Sequence, residues 1–329
     1  MTPLRFGILG TGRILGKLGP AFRHSTKAQL VAVASRELAR AQAVGAERAY
    51  GSYEALLADP DIDVVFNALH NGLHCEWTVR ALATGKHVLC EKPLACSSAE
   101  VEQMFAAAHA NQRWLMEGFM YRFQPQIAAA KKCLDDGALG RLLHIRASYA
   151  TRGREPENPR YWPASGGGAL MDIGCYCVNA SLLFAGSEPK HISAQAHFVN
   201  GVDLTLAGTL EFSGGLTANI LCSFESEGVY GIELTGTNGK LFIPNPWLPA
   251  SDCGEFVLTR GGRAETYRQP TSHQLSHFTG EIDHFADCVR EGRAPAFPPG
   301  VDAEGDSRAT MRVMESLMES ARTSYKEER

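Results

Sequence analysis

The arrangement of hydrophobic and polar positions changes near the middle of the chain. In the first part, short apolar runs such as Leu4–Leu9, Leu30–Ala34 and Val64–Leu69 alternate with stretches whose apolar residues recur at helical spacing. Continuous apolar runs of this length are typical of strands that are buried on both faces of a sheet. Their alternation with helices predicts an α/β fold with a doubly wound parallel sheet.

From His191 onward the pattern becomes the polar–apolar alternation of half-buried strands. The predicted strands are Leu204–Phe212, Leu216–Phe224, Gly231–Gly236 and Lys240–Ile243. The pair Asn238-Gly239, between the last two strands, is a strong hairpin signal. Hairpins without intervening helices predict one large, mostly antiparallel sheet that helices cover on one face only.

The change of pattern divides the chain into two predicted domains. Residues 1–122 are expected to form the α/β domain, and residues 123–329 an α+β domain. In the first domain, an alanine-rich helix is expected over Glu37–Arg48. In the second, apolar residues at helical spacing from Leu275 to Val289 predict an amphipathic helix.

Composition narrows the class of protein further. The chain has 329 residues, of which 44% are hydrophobic and 21% are charged, and its formal charge is −4. No basic block is available to bind nucleic acid, and no apolar run approaches membrane-spanning length. The amino terminus runs directly into a strand, so a cytoplasmic protein without a signal peptide is expected. The nine cysteines are scattered, and Cys175-Tyr-Cys177 lacks the spacing of a zinc pair, so neither disulfides nor a metal site is expected.

A glycine turn follows the first strand and precedes a helix. Gly10 permits a tight turn, and Gly12 allows the backbone to approach a pyrophosphate that lies on the helix amino terminus. Leu15 replaces the third glycine of the usual dinucleotide-binding motif. The candidate cofactor contacts in this turn are Gly10, Thr11, Gly12, Arg13 and Ile14.

The second strand ends at Ser35-Arg36, where NAD-binding chains usually carry an acidic residue for the ribose 2′-hydroxyl. The Arg36 guanidinium can instead pair with the 2′-phosphate of NADP, with Ser35 beside it. This favours NADP over NAD. The alternative is that Arg36 begins a solvated helix and that Glu37 supplies the acid, which would favour NAD.

Two later strand ends carry further candidates. The candidate cofactor contacts here are Leu69, which ends the Val64–Leu69 run, and Asn71 and His74, which follow it, although His74 could equally cap the next helix. The triplet Glu91-Lys92-Pro93 follows the next strand, and the proline restricts the backbone of Lys92. Because ligands bind outside the carboxyl ends of parallel strands, Lys92 is a candidate for chemistry and Glu91 for bracing the loop. The alternative is a surface lysine in a turn.

Two longer segments follow these motifs along the chain. The segments are Met116-Glu-Gly-Phe-Met-Tyr-Arg-Phe123 and Gly166-Gly-Gly-Ala-Leu-Met-Asp172-Ile-Gly-Cys-Tyr176. In this order the set resembles the glucose–fructose oxidoreductase / inositol dehydrogenase / rhizopine-catabolism (Gfo/Idh/MocA) family over essentially the whole chain. It is most similar to the branch that holds dimeric dihydrodiol dehydrogenases and NADP-dependent D-xylose dehydrogenases.

The resemblance implies a Rossmann domain followed by a domain built on a large open sheet. It implies a nicotinamide dinucleotide cofactor, a sugar or cyclic alcohol as substrate, and a homodimer or homotetramer that packs through the open sheet face. It also places Asp172 and Tyr176 against the nicotinamide, opposite Lys92. The further contacts it suggests are Trp162 for the cofactor, and Tyr121 and Arg122 for the substrate.

The predicted chemistry joins an ammonium, a carboxylate and a phenol. Tyr176 would donate or accept the substrate proton, Lys92 would stabilise its phenolate and polarise the substrate oxygen, and Asp172 would orient the substrate hydroxyl. Many family members carry histidine at the position of Tyr176, so tyrosine indicates a sub-branch. Without the resemblance, Asp172 would be interpreted as a carboxylate at a helix amino terminus, and Tyr176 as a buried core residue.

The leading hypothesis is an NADP-dependent oxidoreductase that transfers a hydride between nicotinamide C4 and a sugar or a cyclic diol or ketone. One alternative is an NAD-dependent glycoside hydrolase of the same fold. The other is a non-enzymatic dinucleotide sensor, against which the presence of Lys92, Asp172 and Tyr176 argues.

Overall fold

The computed structural model of the protein describes residues 2–152, 157–249, 253–270 and 277–327, with side chains as far as residue 324. Two units are formed, one from residues 1–123 with 272–307 and the other from residues 124–271 with 308–329. This division differs from the predicted one because the segment 272–307 returns to the first unit. The strands and helices are numbered below in chain order.

A parallel sheet of six strands forms the centre of the first unit. The strands are β1 (Leu4–Leu9), β2 (Ala28–Ala34), β3 (Arg48–Tyr50), β4 (Val64–Asn67), β5 (His87–Glu91) and β6 (Leu115–Gly118). Their spatial order is β3-β2-β1-β4-β5-β6, which is the doubly wound order of dinucleotide-binding folds. Every residue of β4 is buried, as its continuous apolar run predicts. The predicted fold of this half is confirmed.

Helices connect the strands and complete both units. They are α1 (Leu15–His24), α2 (Leu38–Gln42), α3 (Tyr53–Leu57), α4 (His74–Ala83), α5 (Ser98–Ala110), α6 (Pro125–Asp135), α7 (Cys175–Ala185), α8 (Thr279–Glu291) and α9 (Ala303–Glu327). The helix predicted over Glu37–Arg48 is wrong in length. Gly45 adopts φ +75°, a left-handed conformation that ends the helical stretch, and the chain then enters β3.

A larger sheet forms the centre of the second unit. Its strands are β7 (Leu142–Ala150), β8 (His191–Val199), β9 (Val202–Glu211), β10 (Thr217–Ser223), β11 (Val229–Gly236), β12 (Lys240–Ile243), β13 (Cys253–Arg260) and β14 (Arg263–Pro270). Their order is β14-β13-β12-β11-β7-β10-β9-β8. Among these pairs, β7 and β10 run parallel and the others antiparallel. The predicted mostly antiparallel sheet is confirmed. A short pair, β15 (Ala296–Phe297) and β16 (Val301–Asp302), belongs to the first unit.

The two faces of the larger sheet differ in burial. Ile145 and Ile220 are almost fully buried, whereas their chain neighbours Arg146 and Asn219 are exposed. Helices α6 and α7 contact strands of this sheet. One helical stretch, residues 163–185, is long and apolar enough to span a membrane, but 89% of its apolar window is buried inside the protein, which is typical of a core helix.

Candidate active site

The loops that follow β1, β2, β4 and β5 open at one edge of the parallel sheet. Leu9, the last residue of β1, lies level with Ala34 and Asn67, the last residues of β2 and β4. Asn67 lies level with Cys90, one residue before the end of β5. The glycine turn, Arg36, Asn71 and Lys92 therefore follow strands that end at the edge where doubly wound folds bind their ligands.

The turn after β1 has the backbone conformation that a dinucleotide site requires. Gly10 has φ +100°, and a Cβ atom there would lie 3.1 Å from the carbonyl oxygen of Ala68, so only glycine fits. A Cβ atom at Gly12 would meet nothing within 4 Å, so the backbone here is open. Leu15, in place of the third glycine, begins α1. The turn fits the phosphates of a dinucleotide, with the first amides of α1 facing them.

A hydrogen bond joins the loop after β1 to the loop after β2. The Thr11 hydroxyl donates a hydrogen bond to the Ser35 hydroxyl at 3.3 Å, and Ser35 is almost buried. Arg36 is exposed. Burial raises the pKa of the Tyr53 hydroxyl, and the positive charge and hydrogen bond of Arg36 oppose this rise. Glu37 instead forms an ion pair with Arg40 at 3.9 Å. The exposed cation next to Ser35 is thus a guanidinium, which can pair with a 2′-phosphate.

His74 has a role that the sequence did not predict. The residue has no exposed surface, and its Nδ1 and Nε2 atoms lie 2.8 Å from the Pro93 oxygen and 3.0 Å from the Leu69 oxygen. Burial lowers the pKa of His74 to about 4, whereas the two carbonyl oxygens raise it because they favour a ring that carries a proton on both nitrogens. The ring is enclosed and faces backbone groups, and the predicted contact between His74 and the cofactor stays a prediction. Asn71, three residues earlier, is partly exposed.

The loop that carries Lys92 is held by surrounding side chains. The Lys92–Pro93 peptide bond is cis, and the Lys92 side chain is partly exposed. The next amide, Leu94 N–H, donates a hydrogen bond to Glu117 Oε1 at 2.8 Å. The sequence Ser97-Ser-Ala-Glu100 predicts a capping box at the start of α5, and the structure has it in a shifted form. The Ser97 hydroxyl accepts from the Glu100 amide, while the Glu100 carboxylate accepts from Cys96 rather than from Ser97.

Tyr121 and Arg122 are fully buried in a short 3₁₀ turn, Met120–Phe123. Arg122 forms a salt bridge with Asp306 at 3.0 Å, and its guanidinium lies 4.8 Å from the centre of the Phe297 ring. A buried ion pair of this kind fixes the local packing. Neither side chain has exposed surface, and the predicted substrate contacts at Tyr121 and Arg122 stay predictions.

In the second unit, Asp172 lies in a π-helical turn, Leu170–Gly174, immediately before α7. Such turns are rare in proteins overall, and many of those that occur lie at functional sites. Asp172 is nearly buried, and its Oδ1 accepts a hydrogen bond from Arg160 Nε at 2.7 Å. Its partner Arg160 belongs to the polar loop whose residues 153–156 lie outside the described residues.

The glycines before this turn serve the packing of the chain itself. A Cβ atom at Gly168 would lie 2.1 Å from Asp203 Oδ1, and one at Gly167 would lie 2.4 Å from the Arg160 oxygen. Asp203 Oδ2 accepts a hydrogen bond from the Leu170 amide at 2.7 Å. These two glycines therefore let the backbone approach Asp203 and the short turn Pro159–Tyr161 closely.

Tyr176, in the first turn of α7, is surrounded by aromatic rings. Its ring centre lies 5.7 Å from that of Tyr149 and 5.6 Å from that of Trp247. Trp247 is fixed by a hydrogen bond from its Nε1 to the Ser148 oxygen at 3.1 Å. Tyr230, which is 40% exposed, continues the cluster beyond Tyr149. Trp162 is also exposed, at 46%.

Sequence reasoning missed several buried carboxyl groups. Glu117 and Glu281 in the first unit and Asp203 in the second are nearly or fully buried. Burial raises the pKa of Glu117 to about 8 and that of Asp203 to about 7. Glu117 had a usable signal, since it is a charged residue inside the strand Leu115–Gly118, whose other residues are apolar or glycine.

The parallel sheet, the glycine turn and the exposed arginine after β2 define a dinucleotide-binding protein of the oxidoreductase class. A model of an oxidoreductase family with an NAD-binding Rossmann fold, GFO_IDH_MocA, matches residues 4–119. The model of the GFO/IDH/MocA C-terminal domain matches residues 127–242. The chain belongs to the Gfo/Idh/MocA oxidoreductase family, and the predicted family is confirmed.

Relatives and solved structures cover nearly the whole chain. A D-xylose 1-dehydrogenase (NADP(+)) from Haloferax volcanii is 36% identical over 97% of this chain and 98% of its own. A trans-1,2-dihydrobenzene-1,2-diol dehydrogenase from Bos taurus is 31% identical over 90% and 91%. The structure of KijD10, a 3-ketoreductase from Actinomadura kijaniata in complex with NADP and TDP-benzene, has a TM-score of 0.89 at 30% identity, over 97% of this chain and 98% of its own. Solved structures of KijD10 include a lysine-to-alanine and a tyrosine-to-phenylalanine variant.

Proposed function

We propose that the protein is an NADP-dependent oxidoreductase that interconverts an alcohol and a carbonyl group on a sugar or a cyclic diol. The observation that carries the proposal is the placement of Lys92 at the same sheet edge as the Gly10–Gly12 turn and Arg36. A cationic side chain is thereby available beside the site that the fold provides for a dinucleotide. The D-xylose, dihydrodiol and 3-keto substrates named for the relatives support the substrate class.

The cofactor would be held by the loops of the first unit. The amides from Gly10 to Ile14, Thr11 and Arg13 included, would bind the pyrophosphate, and Ser35 with Arg36 would bind the 2′-phosphate. Asn71 would contact the ribose, and Leu69 would contribute apolar contact. Glu91 would brace the loop beside Lys92, and Trp162 would be a further contact for the cofactor. NADP dependence agrees with the D-xylose dehydrogenase and with the NADP complex of KijD10.

When bound, the nicotinamide ring supplies a hydride acceptor or donor at C4. The residues of the chain handle the proton and the substrate oxygen. Tyr176 donates a proton to, or accepts one from, the substrate oxygen, and the Lys92 ammonium stabilises the negative charge on either oxygen. Asp172 orients the substrate hydroxyl, and Arg160 fixes the position of its carboxylate.

The variants of KijD10 support Lys92 and Tyr176 as partners. The lysine and the tyrosine replaced in that enzyme are separated by the same number of positions as Lys92 and Tyr176 in this chain. The two chains align over nearly their full length. A lysine–tyrosine pair at this separation is therefore the pair that we assign to the reaction.

A cofactor titration followed by a substrate screen tests the proposal. NADPH and NADH are titrated by fluorescence, and NADP⁺ reduction is then followed with D-xylose, other aldoses, ketoses and trans-dihydrodiols. We expect tighter binding of NADPH than of NADH and turnover of at least one sugar or diol. Dinucleotide binding without turnover of any of them would contradict the proposal and favour the sensor. Tightly retained NAD with glycoside cleavage and no net reduction would favour the hydrolase.

A further inference from the structure

Two buried side chains hold the peptide group that joins Pro93 to Leu94, immediately after Lys92. The Pro93 oxygen lies 2.8 Å from His74 Nδ1, and the Leu94 N–H donates to Glu117 Oε1 at 2.8 Å. These are the carbonyl and the amide of a single peptide unit, which begins one residue after Lys92. Pro93 and Leu94 are themselves buried.

The two gripping side chains come from different parts of the first unit. His74 begins α4, after the loop that carries Asn71, and Glu117 lies in β6 on the other side of β5. His74 is 0% exposed and Glu117 is 1% exposed. Hydrogen bonds in such an environment are costly to leave unmade, so each residue holds its peptide atom firmly.

His74 also connects two functional loops. Its Nε2 lies 3.0 Å from the Leu69 oxygen, at the start of the loop that carries Asn71. Asn67 donates to the His74 carbonyl oxygen at 3.1 Å and to the Thr78 hydroxyl at 3.1 Å, which fixes the start of α4. A shift of the His74 ring would thus displace the loops after β4 and β5 together.

We propose that His74 and Glu117 are positioning residues that clamp the Pro93–Leu94 peptide and thereby aim Lys92. The proposal rests on the proposed function, because it assumes that Lys92 acts in the reaction. Neither residue touches substrate or cofactor, so their effect on turnover passes through the loop. A loop that moves by about 1 Å is enough to cost on the order of 100-fold in rate.

Paired variants separate the clamp from general stability. His74→Phe and Glu117→Leu remove the hydrogen bonds, whereas His74→Asn and Glu117→Gln keep a donor and an acceptor at the same places. Lys86→Met is the matched control. Lys86 is also buried and donates to two backbone oxygens, those of Asp59 and Ile62, but it precedes β5 at the opposite end of the strand.

The experiment measures two quantities, the hydrogen exchange of the Leu94 amide and kcat on the best substrate of the screen with NADP⁺. In His74→Phe and Glu117→Leu we expect exchange at least about 10-fold faster and kcat at least about 10-fold lower. The NADPH dissociation constant should change by less than about threefold in Glu117→Leu, which leaves the contact between His74 and the Asn71 loop in place. His74→Asn and Glu117→Gln should restore both quantities. The double variant His74→Phe/Glu117→Leu should be little slower than the worse single variant, because both bonds hold one peptide.

Unchanged Leu94 exchange in the two disruptive variants would overturn the clamp. So would unchanged kcat in those variants alongside a Lys92→Met protein that has lost activity, or an equal loss of kcat in Lys86→Met. Full activity of Lys92→Met would instead contradict the catalytic role of Lys92. The clamp would then be judged on the Leu94 exchange alone.

Discussion

Arg36 determines the cofactor preference in this account, because it is the exposed cation beside the Ser35 hydroxyl. Replacing it with alanine should weaken NADPH binding by about 10- to 100-fold, the value of one charge-assisted phosphate contact, and leave NADH binding unchanged. Fluorescence titration measures both constants. Arg40→Ala, an exposed arginine one turn later, serves as the control. An equal loss for both cofactors would show that Arg36 does not bind the 2′-phosphate.

Glu117 should make the stability of the protein depend on pH. Burial raises its pKa from 4.5 to about 8, so between these values the folded protein keeps a proton that the unfolded chain releases. The free energy of unfolding therefore falls as pH rises through this range, by at most about 1.4 kcal/mol per pH unit, and levels off above pH 8. Glu117→Gln should remove this part of the slope.

Urea unfolding at pH 5, 6, 7 and 8 measures the slope for both proteins. Glu76→Gln, which changes an exposed carboxylate on α4, should leave it as it is in the wild type. Parallel curves for the wild type and Glu117→Gln would mean that Glu117 is ionised in the folded protein at these pH values.

At this scale, the sequence predicted some residues and missed others for a physical reason. Arg36 and Lys92 stand at strand ends, so their placement follows from the strand pattern alone. The roles of His74, Tyr121 and Arg122 depend on burial, and burial is decided by packing between distant segments, such as Arg122 against Asp306. The sequence therefore does not show whether a polar side chain near a motif faces a ligand or the core.

The π-helical turn before α7 depends on close packing between Gly168 and Asp203. Gly168→Ala should cost about 2 kcal/mol or more, because a methyl group would lie 2.1 Å from Asp203 Oδ1 at a φ of +123°. Gly214→Ala is the control that measures the cost of positive φ without a close contact. Gly214 also has positive φ, +74°, but nothing lies within 4 Å, so its cost should be about 1 kcal/mol. Chemical unfolding compares the two variants, and equal losses would exclude the contact with Asp203 as the cause.

At the scale of elements, periodicity predicted which segments are strands and helices but not every end. The predicted strand Lys240–Ile243 matches the structure. The helix over Glu37–Arg48 was too long because its alanine content outweighed Gly45. The stripe from Leu275 to Val289 did predict a helix, α8, and Phe278, Ile282 and Phe285 are buried, while Leu275 lies outside the described residues.

The open face of the larger sheet is the predicted contact between subunits. Ala207 and Asn219 are exposed on it although they lie in interior strands of the sheet. We expect a homodimer or a homotetramer, and Ala207→Arg should dissociate it by placing a charge in the interface. Sedimentation velocity measures the oligomeric state of the wild type and of Ala207→Arg. Lys132→Glu, on α6, is the control variant. A monomeric wild type, or an Ala207→Arg protein that stays assembled, would contradict this interface.

The division of the whole molecule could be predicted only in part. The predicted boundary after residue 122 lies close to residue 123, where the first segment of the first unit ends. The return of residues 272–307 to the first unit could not be predicted, because an apolar stripe indicates a buried face but not the surface that covers it. Helix α8 contacts α1 and β2, which come from the start of the chain.

The central claim is that Lys92 acts in an NADP-dependent reaction, and the most direct test is kcat of Lys92→Met on the best substrate of the screen. The NADPH dissociation constant of the same protein shows that the cofactor site is intact. We predict that kcat falls by at least about 100-fold while this constant changes by less than about threefold. Wild-type kcat in Lys92→Met, with NADPH bound as usual, would contradict the account.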